Sequence, residues 1–285
     1  MWQSVIYQYD GSFEGLLCCI FESYTKKERP TAIFCDEDAL PCLFEIRMVP
    51  TVPEHAQRVE RSLRKLSPTV MPFLRRVYLT CLPEREIAIY RFVVKLYREG
   101  APYLTRLSDE DYQPLLRAVR HMSAEVEHLR GFVRFSIHDG ILSATIDPKN
   151  RVLPMLRAHF CERCHDERFF IYDRTHREAL LYADGRSRIV PLDDFEAAPP
   201  DAEETGYRQL WKRFYDTVAI KERINPKLRM THMPKRYWRT MTEFQSENDT
   251  VSGDGSSRDG KIVFHAGGQN GSQHGTAPAL APPPA

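Results

Sequence analysis

The run Cys161-Glu-Arg-Cys164-His165 has the clearest chemical spacing in this sequence. A C-x-x-C-H run is the site of covalent haem attachment in exported proteins. We expect no haem, because Met1–Asp10 lacks the charged and then apolar stretches of a secretory signal. A zinc site would need a second ligand pair, and none stands at zinc-finger spacing, although His159, His165 and His176 could contribute from the fold. We therefore predict reduced, metal-free, structural cysteines and no cofactor.

Acid–base chemistry needs carboxylates beside a histidine, and Glu125, Glu127 and His128 meet that requirement near the end of a predicted helix. Solvated helix ends produce the same pattern, so these residues alone indicate no reaction. The chain also lacks the motifs G-x-S-x-G, G-x-x-x-x-G-K-[ST], G-x-G-x-x-G and H-E-x-x-H. No motif therefore supports a hydrolase, a nucleoside triphosphatase or a nicotinamide enzyme.

A second polar set keeps an enzymatic alternative open. Asp147 and Asp173 follow predicted strands, while Asn150 and His159 belong to the predicted helix between them. If these side chains converged in a pocket between the 131–146 hairpin and that helix, they could act on a damaged base or nucleotide.

The segment Tyr207–Arg239 concentrates positive charge and aromatic rings. Its 33 residues contain ten lysines or arginines, two acids and six aromatic side chains. Clustered cations bind phosphate backbones because each neutralised phosphate releases counterions, and exposed rings stack on unpaired bases. The predicted nucleic-acid-binding residues are Arg208, Lys212, Tyr215, Lys221, Arg223, Lys227, Arg229, Lys235, Arg236, Tyr237 and Arg239.

At helical spacing, the first part of this segment has one apolar stripe, formed by Tyr207, Leu210, Trp211, Phe214 and Val218. We expect the stripe to dock on the core, which would turn Arg208, Lys212 and Tyr215 outward on its flank. In the alternative interpretation, the protein is an interaction module without nucleic-acid contact, and the basic segment pairs with acids of the same chain.

The elements that must position these residues follow from hydrophobic periodicity and turn signals. Strands are predicted at 5–9, 31–35, 44–49, 132–137, 141–146, 169–172, 179–182 and 188–192. Helices are predicted at 13–24 with Ser12 as its cap, at 54–66, at 84–99, from 108 to 130, and from 147 or 150 to 164. The predicted fold class is α+β, with antiparallel hairpins packed against several helices.

Composition divides the chain into a domain and a tail. Residues 1–244 are predicted to form a single α+β domain with an exposed acidic loop near 193–204, which has six acids and no base. Residues 245–285 are rich in Gly, Ser, Asn, Pro and Ala and are predicted to be disordered. The seven cysteines, an odd number, and the short apolar runs predict a cytoplasmic protein without membrane contact. The net charge of +1 produces no overall field for DNA, so local clustering must supply it.

Several stretches in order resemble a bacterial family of uncharacterised proteins assigned to DNA metabolism or repair. The resemblance runs over residues 5–244, and its pieces are 9–17 (YDGSFEGLL), 21–24 (FESY), 131–135 (GFVRF), 154–160 (PMLRAHF), 171–173 (IYD), 210–212 (LWK), 220–225 (IKERIN) and 233–238 (MPKRYW). It implies a companion protein of the radical S-adenosylmethionine class that acts on DNA and, in some members, fusion to a uracil-DNA-glycosylase-like domain. It implies no reaction and no catalytic residue. The expected function is that of a DNA-repair accessory protein whose partners are DNA, the radical S-adenosylmethionine protein, or both.

Overall fold

The computed structural model describes residues 3–35, 45–138, 140–193, 195, 202–218 and 226–244. The tail predicted at 245–285 lies outside these residues, as do 194 and 196–201 of the acidic stretch. Within the described ranges, no helix combines the length and the apolar composition needed to cross a membrane.

The described strands are β1 (Gln3–Tyr9), β2 (Glu28–Cys35), β3 (Ile46–Met48), β4 (Ser136–His138), β5 (Ile141–Ile146), β6 (Phe169–Asp173), β7 (Glu178–Ala183) and β8 (Arg186–Pro191). The described α-helices are α1 (Phe13–Lys26), α2 (Pro53–Leu66), α3 (Val70–Tyr78), α4 (Arg85–Glu99), α5 (Gln113–Phe132), α6 (Leu153–Arg163), α7 (Ala202–Val218) and α8 (Pro226–His232). Short 3-10 helices lie at Ala101–Thr105, Lys235–Thr240 and Thr242–Phe244. Helix α3 was not predicted, because Pro72 interrupts its pattern, yet proline is tolerated in a first turn.

The N-terminal sheet is parallel, with the strand order β2-β1-β3. Parallel neighbours need a crossover, and α1 supplies it between β1 and β2. Ser12 caps α1 as predicted, because its Oγ accepts a hydrogen bond from the N–H of Gly15 at 2.9 Å. The mixed helix and strand content of the prediction is confirmed. Its antiparallel hairpins account for only the second of the two sheets, which corrects the predicted class.

The turn from β1 into α1 is held by Asp10. Its Oδ1 accepts hydrogen bonds from the N–H and the Oγ of Ser12, at 2.9 and 2.7 Å, and its Oδ2 accepts one from Thr51 Oγ1 at 2.8 Å. Gly15 is required for this close approach, since a Cβ there would clash with Asp10 and lie 2.7 Å from Thr51 Oγ1. The 9–17 piece of the family resemblance is therefore a tightly packed strand-to-helix turn.

Helix α5 begins five residues later than predicted. The predicted start, Ser108, lies in a turn whose centre is Asp109. Asp109 Oδ1 accepts hydrogen bonds from the Tyr103 hydroxyl at 2.7 Å and the Asp111 N–H at 3.0 Å, and Lys95 Nζ lies 3.2 Å from Oδ2. Burial alone would raise the pKa of Asp109, but these hydrogen bonds outweigh it and lower that pKa to about 2. An aspartate that binds nearby amides in this way favours a turn over a helix.

The C-terminal sheet has the strand order β4-β5-β6-β7-β8. The antiparallel pairs β4–β5 and β6–β7 confirm both predicted hairpins, and β8 extends the second one. Strands β5 and β6 pair in parallel, with α6 as their crossover. The strand predicted at 132–137 begins only at Ser136, because Phe132 ends α5, where its ring lies 5.4 Å from that of Tyr237.

The two faces of this sheet have different neighbours. Phe169 and Ile171 of β6 face a core shared with Leu129 of α5 and Leu156 of α6. Phe170 points to the opposite face and packs in a smaller cluster with Phe195, whose ring centroid lies 4.8 Å away. We call this second side the outer face of the sheet.

Candidate nucleic-acid interface

Helix α7, which begins the basic segment, covers the free edge of β4. Glu204 Oε2 accepts a hydrogen bond from the main-chain N–H of Ile137 at 3.3 Å. Arg208 binds the same carboxylate, with Nε 2.8 Å from Oε1, and its Nη2 donates to Ser136 Oγ at 2.6 Å. An edge strand has unpaired main-chain groups that must find partners. The helix therefore docks through polar side chains that satisfy this edge.

Two predictions are corrected by this docking. Glu204, assigned to the exposed acidic loop, is 6% exposed and belongs to the helix. Arg208, predicted to face solvent, is held between Glu204 and Ser136, so its charge is neutralised within the protein. Lys212, one turn further on, is half-buried.

The apolar stripe of α7 faces outward. Tyr207 is 56% exposed, Leu210 63%, Phe214 55% and Trp211 39%. The expectation that this stripe docks on the core is therefore wrong, because the neighbouring polar side of the helix, with Glu204 and Arg208, makes the contacts with β4. The rings of Trp211 and Phe214 stack with centroids 5.7 Å apart at an interplanar angle of 29°. Large exposed aromatic side chains, adjacent on one helix face, form the platform of the candidate interface.

Glu243 and Arg134 hold this platform at its base. Trp211 Nε1 donates to Glu243 Oε2 at 3.2 Å, and Arg134 Nη2 lies 2.8 Å from Glu243 Oε1. The Arg134 guanidinium also lies 5.4 Å from the Trp211 ring centroid. Burial alone would raise the pKa of Glu243, but the hydrogen bonds from Arg134 and Trp211 outweigh it and hold that pKa below its ordinary value. Glu243 therefore stays ionised and fixes the orientation of the indole.

Arg236 and Tyr237 make their main contacts within the protein, although Arg236 is exposed at the surface. Arg236 Nη2 lies 3.1 Å from the buried carboxylate of Glu125, and its guanidinium covers the Tyr237 ring at 4.5 Å. Tyr237 is 3% exposed and packs between His128 and Phe132. Burial raises the pKa of its hydroxyl. Its ring has no open face for a base, and the Arg236 charge already has a carboxylate partner.

The remaining predicted cations differ in their setting. Lys227 and Lys235 are exposed, and no described carboxylate pairs with either of them or with Lys212. Lys235 Nζ lies 5.9 Å from the Trp238 ring. Arg239 is also exposed, and its side chain interacts with another residue of the protein.

Four predicted residues carry no side-chain description. Tyr215 lies in α7 and Arg229 in α8. Lys221 and Arg223 lie outside the described residues. The sequence prediction also missed Arg213, an exposed cation next to the aromatic platform, although it lies within the basic segment.

Glu125, a candidate for acid–base work, has a structural role. It is 1% exposed, and it accepts hydrogen bonds from the N–H groups of Lys149 and Asn150 at 3.0 and 2.9 Å, and from Asn150 Nδ2 at 2.6 Å. Asn150 Oδ1 in turn accepts from the N–H of Cys81 at 2.9 Å. These bonds and the Arg236 pair join four separate stretches of chain, so the carboxylate is saturated.

Two other polar residues of the enzymatic alternative, Asp173 and Asp147, are also paired within the protein. Asp173 is fully buried and lies 2.7 Å from His176 Nδ1, while Asp147 lies 3.5 Å from Arg174 Nε. His159 Nε2 is buried without a hydrogen-bond partner in the described part of the chain. The described cavities are lined by other residues.

Cys161 and Cys164 are free thiols, both half-buried at the end of α6. Burial raises the pKa of the Cys164 thiol, which lowers the thiolate fraction that metal binding and redox exchange require. Over the residues that the structure describes, no three His, Cys, Asp or Glu side chains are placed to hold a metal ion.

Comparison with known proteins places this architecture in a family. No curated protein matches the chain. The family model described as DUF4130, a domain of unknown function, matches residues 83–243, a range that runs from the start of α4 through the C-terminal sheet to the 3-10 helix below Trp211. Because this range is more than half of the 285 residues, the chain belongs to the DUF4130 family.

Proposed function

We propose that this protein binds single-stranded nucleic acid as an accessory factor in DNA metabolism, with the aromatic platform of α7 as the surface that contacts bases. The observation that carries the proposal is the outward orientation of Tyr207, Trp211 and Phe214. A folded helix that turns three rings to solvent has a use for them outside the core. The stacking of a base on such a ring depends little on which base it is, and it contributes about 1–3 kcal/mol of binding free energy per base.

The charges around the platform support the same ligand. Lys212 and Arg213 flank the rings on α7, and no described carboxylate pairs with either cation. Positive groups beside stacking rings are the combination by which proteins follow a single strand, since cations neutralise phosphates while rings hold unpaired bases. A duplex presents no free base face, so single strands are the preferred form in this proposal.

The role in DNA metabolism, the radical S-adenosylmethionine companion and the glycosylase-like partner rest on the family resemblance. One observation favours a protein partner as a second candidate. Leu210 is 63% exposed in the middle of the aromatic platform, and leucine binds proteins better than it binds bases. A companion protein docked on the same stripe would cover it.

The primary test measures fluorescence anisotropy of a labelled oligothymidylate and of a hairpin duplex. We expect the single strand to bind more tightly, and Phe214→Ala to weaken binding about 5- to 150-fold, the equivalent of one lost stacking contact of about 1–3 kcal/mol. Leu107→Ala is the matched control, because Leu107 is 58% exposed on a distant turn. Equal affinities for parent and Phe214→Ala protein would show that the platform does not contact bases.

The charge contribution is tested by Lys212→Ala together with Arg213→Ala. Each lost phosphate contact should reduce the slope of log affinity against log salt by about 0.7 for a single strand. We therefore expect the double variant to lose about one to two units of slope. If the parent protein shows no salt-dependent binding to any nucleic acid, direct contact is ruled out, and a pull-down from native extract tests the protein-partner candidate instead.

A further inference from the structure

The outer face of the C-terminal sheet carries three arginines around one groove. Arg168, Arg186 and Arg188 line a cavity of about 520 Å³ whose floor includes Phe170 and Leu181. All three arginines are exposed. All three precede the basic segment in the sequence and do not belong to a run of basic residues, so the distribution of charge along the chain does not indicate them.

Strand register explains why these arginines meet. Paired residues of neighbouring strands point to the same face of a sheet. One such row crosses the whole sheet and consists of Ser136, Ser143, Phe170, Leu181 and Arg188. Ala183 pairs with Arg186 two residues along the strands, on the same side, and Arg168, just before β6, lines the same cavity. The tertiary fold therefore assembles a positive groove from residues of β6, β8 and the β6 lead-in.

The charge of this groove is not compensated within the described protein. None of the three arginines has an ion pair or a side-chain hydrogen bond to any described residue. Glu167 and Asp184 are the nearest acids in sequence, and neither lines the cavity or pairs with these arginines. Three guanidinium groups around one concave surface raise the local positive potential and attract an anion. Arginine is suited to phosphate because its planar fork binds two oxygens at once.

The same row connects the groove to the aromatic platform. Arg208 of α7 donates to Ser136 Oγ at one end of the row, and Arg188 stands at the other end. The four strand spacings from β4 to β8 amount to about 19 Å. Single-strand sites on proteins extend over about 4–16 nucleotides, so a strand at the long end of that range can cover this distance and the α7 platform together.

We propose that one nucleic-acid strand contacts both surfaces, with its bases on the α7 platform and its phosphates in the arginine groove at the far edge of the sheet. This inference rests on the proposed function and adds a second, separate contact surface to it. It makes affinity depend on strand length: a strand of four nucleotides reaches one surface, and a strand of fifteen spans both.

The test compares oligothymidylates of four and fifteen nucleotides on the parent protein and on the triple variant Arg168→Gln, Arg186→Gln, Arg188→Gln. For the fifteen-mer, we expect the triple variant to bind about tenfold more weakly or worse at moderate salt, and to lose about two units of salt slope, from three contacts of about 0.7 each. For the four-mer, we expect affinities within twofold. The melting temperature should stay unchanged, because these arginines have no ion pair or side-chain hydrogen bond with any residue that the structure describes.

The matched control is Arg91→Gln, Arg117→Gln, Arg120→Gln, which removes three exposed arginines of α4 and α5. If this control weakens the fifteen-mer equally, the effect is one of net charge and the groove is not the site. If the groove variant binds the fifteen-mer as the parent does while Phe214→Ala still weakens it, the groove inference fails and the platform proposal stands. If the parent binds neither strand, both fail together.

Discussion

The orientation of α7 makes a sharp prediction, because it inverts what the hydrophobic pattern of this helix suggests. Arg208→Ala removes the cation that pairs with Glu204, whose side chain is 7% exposed and which also accepts a hydrogen bond from the N–H of Ile137. Leu210→Ala shortens a side chain that is already 63% exposed. We therefore expect the charged residue to matter for docking of the helix and the apolar residue to matter little.

The magnitudes follow from burial. Removing one partner of a fully buried ion pair costs about 3–5 kcal/mol. Because the Arg208 side chain is 26% exposed, solvent screens part of its charge, and we expect a loss of about 2–3 kcal/mol for the docking of α7. Leu210→Ala should stay within about 0.5 kcal/mol, as for other surface changes. A core position would instead lose about 2–5 kcal/mol on the same leucine change.

Native-state hydrogen exchange read by mass spectrometry measures this loss on the α7 peptide itself. We expect its amides to lose protection in Arg208→Ala and to keep it in Leu210→Ala, while peptides of β6 stay unchanged in both. The double variant Glu204→Ala, Arg208→Ala should recover part of the loss, since no unpaired carboxylate remains. Retained protection in Arg208→Ala together with lost protection in Leu210→Ala would show that the helix docks by its apolar stripe, and the platform reasoning would then be wrong.

Three further predictions concern stability. Glu125→Ala should lower the free energy of unfolding by about 3–5 kcal/mol in urea titrations, because the hydrogen-bond donors of Lys149 and Asn150 and the charge of Arg236 lose their carboxylate partner. A decrease below 1 kcal/mol would show that these bonds do not stabilise the fold. Asp109 has its pKa lowered to about 2 in the folded state against 3.8 unfolded, so its contribution is fully present above about pH 5 and is lost as the pH falls through 2. Asp109→Asn should therefore cost about 1–2 kcal/mol at pH 7 and clearly less near pH 2, where about half of the Asp109 side chains are protonated in the folded protein; an equal cost at both pH values would refute this linkage. Truncation after Phe244 should leave the melting temperature unchanged, because residues 245–285 have too few apolar side chains to form or extend a core. A drop of several degrees would show that this tail packs on the domain.

Much of the local structure was predictable from the sequence. Ser12 and the stripe that follows it predict α1 and its cap, and the Asp139-Gly140 turn predicts the first hairpin, because both signals act within a few residues. The hairpin from β6 to β7 also follows from short-range alternation. The ends of helices were predicted less accurately. Helix α5 starts later than predicted because the side chain of Asp109 accepts hydrogen bonds from the N–H groups of Asp111 and Tyr112 and so stabilises a turn.

The functional surfaces depend on contacts that no local pattern encodes. An amphipathic stripe on α7 predicts a buried face. In the structure, Glu204 and Arg208 make hydrogen bonds to β4 at its free edge, and the helix turns its rings outward. Likewise, Arg168 and Arg188 are ordinary surface residues in sequence, and they share a groove only because sheet register fixes which side of each strand faces out. The sequence by itself determined the helices, the hairpins and the basic aromatic segment, since these arise from spacing along the chain. Tertiary structure alone decided which of those side chains remain free to meet a ligand, because that depends on partners that lie distant in sequence.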